Sequence, residues 1–143
     1  MKISSLLKGC ALAAVIAALP LSSISAHEGH SHGAAPAPQA GSASEAFANA
    51  QASLKAIHGA VATKDAGTIH TEQEKLAASL KQVQEKGTST DKARLDGAIK
   101  NAIAASERVH AAADAKDFGK VESGLRTLEA TMQMVERNLA AEK

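Results

Sequence analysis

Apolar residues recur between positions 43 and 143 at alternating spacings of three and four, the period that gathers them on one side of an α-helix. The first such stripe opens at Ser42, with Glu45 three residues on as a capping box, and carries Phe47, Ala50, Leu54, Ile57 and Val61. A second starts from Asp65 as N-cap and carries Ile69, Leu76, Leu80 and Val83, with Gln73 as its one polar core position; Lys86-Gly87 ends it. After the polar turn Thr88-Ser89-Thr90-Asp91, a third carries Leu95, Ile99, Ala102, Ser106, Val109 and Ala113, with Ile103 beside it, and ends near Ala115. The fourth, from Asp117, is the most regular: Phe118, Val121, Leu125, Leu128, Met132, Val135 and Leu139. Met134 falls at an outward position.

The pattern is written twice. The run from Ile57 to Ile69 returns fifty-two residues later as Val109 to Val121, so that His58 matches His110, Lys64-Asp65 matches Lys116-Asp117, and Gly67 matches Gly119. Short connections force each helix back along the one before. The expected fold is all-α: an antiparallel up-down-up-down four-helix bundle over 43–143, built from two repeated αα-hairpins and preceded by a disordered His-rich arm.

Composition supports helices and removes several function classes. Aromatic residues are 1% of the chain, with no Trp or Tyr, so the core is Ala, Leu, Ile, Val and Met, and there is no platform on which bases could stack. The formal charge is +1, and without Lys2 and Lys8 fourteen basic residues stand against 15 acidic ones, a charge of −1. No basic surface is expected, and no nucleic-acid partner.

Lys2 and Lys8 precede the apolar run Cys10 to Leu19, then Pro20 and small residues ending Ser25-Ala26. That is the pattern of a secretory signal peptide over 1–26, cleaved after Ala26, its apolar run too short to span a bilayer. A cleaved chain has no cysteine and no membrane span, and is expected in the periplasm.

Cleavage exposes His27-Glu28-Gly29-His30-Ser31-His32, followed by an Ala/Pro linker to Ser42. Residues 27–42 have neither periodicity nor bulk and are expected to be a disordered arm. The imidazoles of His27, His30 and His32, the Glu28 carboxylate and the new α-amine are donors that Cu(II), Ni(II) and Zn(II) accept.

A second group of histidines lies in the repeat. His58, His70 and His110 each sit one residue past a core position, and Glu122 occupies the fourth equivalent place, all at one end of the bundle. Bundle handedness decides whether His58 meets His70 and His110 meets Glu122, or His58 meets Glu122 and His70 meets His110. Packing alone also explains imidazole at such boundary positions, so these four form a second, subsidiary candidate metal site. The chain has no Cys-x-x-Cys-His motif for haem attachment, and no His at a core position; Met132 is the one potential axial ligand there. Haem is not expected.

The signal sequence, the His-Glu-Gly-His-Ser-His terminus and the small helical body resemble the short His-tailed periplasmic proteins associated with heavy-metal and copper efflux in Gram-negative bacteria. In architecture the body is similar to cytochrome b562-like bundles, without their haem ligands. The first resemblance implies a metal buffer, chaperone or sensor accessory and transfers no catalytic residue. No nucleophile, carboxylate pair or phosphate loop stands out, so the chain is not expected to be an enzyme. The expected function is periplasmic binding of divalent transition metals, with a metal-efflux or other envelope protein as partner. The alternative is a helical interaction module that docks an envelope protein, its tail incidental; the thin stripe of the third helix is where a partner, including a second copy in a homodimer, is expected.

Overall fold

The computed structural model describes residues 36–88 and 90–140. Its elements are α1 (Ala43–Ala62), α2 (Ala66–Lys86), α3 (Lys92–Asp114) and α4 (Phe118–Ala140), with no strand among the described residues. Each helix packs on its neighbour in the chain, and α1 meets α4 more lightly, so the four surround one core. Across α1 and α4, Gln51 reaches Glu136 while His58 reaches Glu129: residues advance along one helix as they recede along the other. The leader (1–26) and the His-rich tail (27–33) lie outside the described residues.

The two hairpin turns repeat in space as they do in sequence. Lys64 (φ 55°) and Lys116 (φ 54°) both take the left-handed conformation that usually goes to glycine after a helix. In each turn the following aspartate N–H donates to a carbonyl five residues back, Asp65 to Ala60 and Asp117 to Ala112, both at 2.9 Å. The same aspartates then cap the next helix: Asp65 Oδ1 accepts from the Thr68 N–H and Asp117 Oδ1 from the Lys120 N–H, each at 3.1 Å. Ser42 caps α1 through the Glu45 N–H, and Glu45 reaches back to the Gly41 N–H.

These caps make stability depend on acid. The Thr68 hydroxyl, then the Thr68 N–H, hold the Asp65 carboxyl below the ordinary aspartate range; the Lys120 side chain, then its N–H, do the same for Asp117. A lowered folded-state pKa means stabilisation that is present above the ordinary aspartate value and is lost as pH falls through the lowered one. Melting temperature should therefore drop more steeply between about pH 5 and about pH 2 for the parent than for Asp65→Asn/Asp117→Asn. Parallel curves would show that the caps contribute no ionic stabilisation.

The buried stripes of α2 and α3 fall where the heptad spacing puts them: Ile69, Leu76, Leu80, Val83, Leu95, Ile99 and Val109 have no exposed surface, and Gln73, Ser79 and Ser106 are the polar residues buried among them. α1 differs. Its interior face is Ala43, Ala46, Phe47, Ala50, Ser53, Ile57 and Ala60, while Leu54 and Val61 are half-buried at the edge. Small residues take most of this stripe beside Phe47 and Ile57, and Leu54 and Val61 fall at its rim. Met134, expected outside, is half-buried against the core and lines the α3/α4 groove. On the same interface, a Cβ on Gly124 would lie 3.0 Å from Val109 Cγ2, so that glycine permits the close approach of α4 to α3. Residues 36–42 before α1 are not helical, yet Ala37 and Ala40 are buried. Gln82 of α2 clamps them, accepting from the Ala40 N–H at 2.9 Å and donating to the Pro38 carbonyl at 3.2 Å.

Candidate metal centre

The helix order decides which histidines meet. His70 on α2 and His110 on α3 lie across one interface with ring centroids 4.3 Å apart and planes inclined at 45°. Asp114, one turn beyond His110, faces both: its Oδ2 is 3.0 Å from His110 Nε2 and its Oδ1 3.8 Å from His70 Nδ1. One ligand atom from each of the three can be chosen so that all lie within 4.8 Å of one another. His58 lies elsewhere, on the α1/α4 interface, where its Nε2 contacts Glu129 Oε1 at 2.8 Å. Glu122 is exposed on α4. Of the four body residues expected near one another, the structure brings His70 and His110 together and adds Asp114. The tail residues His27, Glu28, His30 and His32 lie outside the described residues.

A buried polar chain orients His110. The Ser106 hydroxyl donates to the Ile103 carbonyl at 2.8 Å, so its oxygen is left to accept from Gln73 Nε2 at 3.1 Å. That fixes the amide, turning Gln73 Oε1 toward His110 Nδ1 at 3.1 Å. In this amide orientation Nδ1 donates to Gln73 Oε1. In the neutral ring the lone pair is then on Nε2, aimed at the Asp114 carboxylate. Two electron-rich atoms 3.0 Å apart call for a cation between them, either a proton on Nε2 or a metal ion. On the other ring, Glu74 Oε1 lies 3.3 Å from His70 Nε2, an ion-pair contact within α2.

The arrangement departs from the internal repeat. Displaced by fifty-two residues, Asp114 corresponds to Ala62, Gln73 to Leu125, Ser106 to Leu54, Glu74 to Arg126 and His70 to Glu122. Only His110 keeps its counterpart, His58. The core positions Leu76 and Val83 keep theirs as Leu128 and Val135, so the departures gather on one interface. Asp114 also stands in the last turn of α3, against the negative end of the helix dipole, where a carboxylate is disfavoured. The sequence did carry a signal for it: His110 and Asp114, like His70 and Glu74, are four apart on a helix and share a face.

The site is reachable from solvent. The His70 and His110 side chains are 19% and 26% exposed and Asp114 is 57% exposed. A groove of about 370 Å³ opens on the His70/Asp114 side and another of about 480 Å³ on the Gln73/His110 side. No protein-family description, curated protein or solved structure matches the chain.

Proposed function

We propose that this chain is an exported, non-catalytic protein that binds divalent Cu, Ni or Zn, with a His-rich arm on an up-down-up-down bundle that arose by doubling one αα-hairpin. The observation that supports it is where the histidines lie. Three of the six fall within six residues at the expected mature terminus, and the other three flank the hairpin turns, each facing a carboxylate. Imidazole and carboxylate together are ligands for borderline divalent metals. The resemblance of the tail to metal-efflux accessories agrees with a periplasmic buffer working beside an envelope partner.

Intact-mass measurement of exported protein should give a chain that begins at His27. Calorimetric titration of that chain with Cu(II), Ni(II) or Zn(II) should show binding that falls sharply when residues 27–33 are deleted. Binding by the arm should leave the melting temperature unchanged, because such a ligand set is equally available whether the bundle is folded or not. It should fade below about pH 6, where protons compete for imidazole. Should the deletion leave metal binding and cellular metal tolerance untouched while the chain still captures an envelope protein, the interaction-module reading takes its place.

A further inference from the structure

The geometry points to a second, folding-dependent metal site at the α2/α3 interface, in which His70 Nδ1, His110 Nε2 and the Asp114 carboxylate hold one divalent transition ion. It rests on the metal-binding reading above but is independent of the arm. Two imidazole nitrogens and one carboxylate are the ligand set of Zn(II) and its neighbours; with a fourth position left to water, the ion would stay exchangeable. Ligand bonds near 2.0 to 2.1 Å put tetrahedral ligand atoms about 3.3 Å apart. His110 Nε2 and Asp114 Oδ2, at 3.0 Å, are already near that separation; His70 Nδ1 stands 3.8 Å from Asp114 Oδ1, and since all three ligand atoms lie within 4.8 Å of one another, the His70 side must close by no more than about 1.5 Å. Asp114, more than half exposed at the end of α3, is free to make that adjustment.

The outer contacts separate this group from a chance ion pair. A ligating histidine ordinarily donates its second N–H to a carboxylate, carbonyl or amide that fixes the ring. His110 has such an acceptor in Gln73 Oε1 at its Nδ1, and on the His70 ring the Glu74 carboxylate stands 3.3 Å from Nε2 at ion-pair distance. The second nitrogen of each ring lies near Asp114, His110 Nε2 at 3.0 Å and His70 Nδ1 at 3.8 Å. Lys116 lines the groove on the His70/Asp114 side.

The test uses the full exported chain with His27→Ala/His30→Ala/His32→Ala, which silences the arm, and Zn(II) as the probe. Calorimetry should show one ion per chain, and the melting temperature should rise with Zn(II) concentration, since only the folded protein brings the three ligands together. Asp114→Asn, at an exposed position, should keep the metal-free melt close to parent yet weaken Zn(II) binding by about 100-fold or more, beyond the 10- to 100-fold typical of an outer contact. His70→Ala should do the same. Loss of all binding in the arm-silenced chain would overturn the inference, leave His110 and Asp114 as an ordinary ion pair, and leave the arm's role standing. Binding indifferent to Asp114→Asn would overturn it as well. Retained binding here with none gained from the arm would sustain this site and defeat the arm. Absence of binding in the intact chain would defeat both.

Discussion

Leu128→Ala is expected to destabilise the protein by about 2–5 kcal/mol. Leu128 has no exposed surface and sits midway along α4, in a stripe with Val121, Leu125, Met132 and Val135. Truncation would therefore forfeit both transfer free energy and packing. Against a total stability of about 5–15 kcal/mol, such a loss should be plain in the denaturation midpoint. Leu139→Ala is the control: Leu139 is half-buried at the helix end and should cost clearly less. Equal effects, or a neutral Leu128→Ala, would mean that the stripe is not the core.

The second large effect separates stability from metal affinity. Gln73 and Ser106 are buried polar residues, 6% and 0% exposed, that occupy places filled by Leu in the other half of the repeat. Ser106→Ala alone leaves Gln73 Nε2 without its acceptor and should cost about 1–3 kcal/mol. Gln73→Leu/Ser106→Ala removes both partners and should recover much of that loss, because replacing a satisfied polar pair by apolar groups is close to neutral. The double variant nevertheless takes away the acceptor that fixes His110. In the arm-silenced chain it should weaken Zn(II) binding by about 10- to 100-fold while melting near the parent. Unchanged affinity would deny Gln73 any orienting role; a double variant less stable than Ser106→Ala would make the chain a structural network.

The helices and their caps were legible because each rests on local rules: Asp65 and Asp117 announce helix starts, and the stripes of α2, α3 and α4 follow one period. α1 was legible less well. Its alanines have little hydrophobic weight, so Leu54 and Val61 attracted the interior assignment that Ser53 and Ala60 hold. The candidate site was half legible for a related reason. Heptad position says that His58, His70 and His110 lie at helix boundaries, but which boundary each faces depends on which helices are neighbours, a property of the whole bundle. α2 lies beside α3, so His70 meets His110; α1 lies beside α4, so His58 meets Glu129. Asp114 pairs with His110 at the four-residue spacing of one helix, which the sequence does carry, but its approach to His70 depends on the α2/α3 interface, which no single-helix pattern encodes. The packing of Ala37 and Ala40 under Gln82 was hidden for the same reason, since linker composition gives no sign of a clamp on a distant helix.

The most direct measurement is the metal content of the chain that begins at His27 after equilibration with Zn(II) at neutral pH and removal of free ion. One ion held by the arm and another by His70, His110 and Asp114 are expected, the first lost on deletion of residues 27–33 and the second on Asp114→Asn. A chain that retains no metal, or whose metal survives both changes together, would contradict a metal-binding function built on these residues.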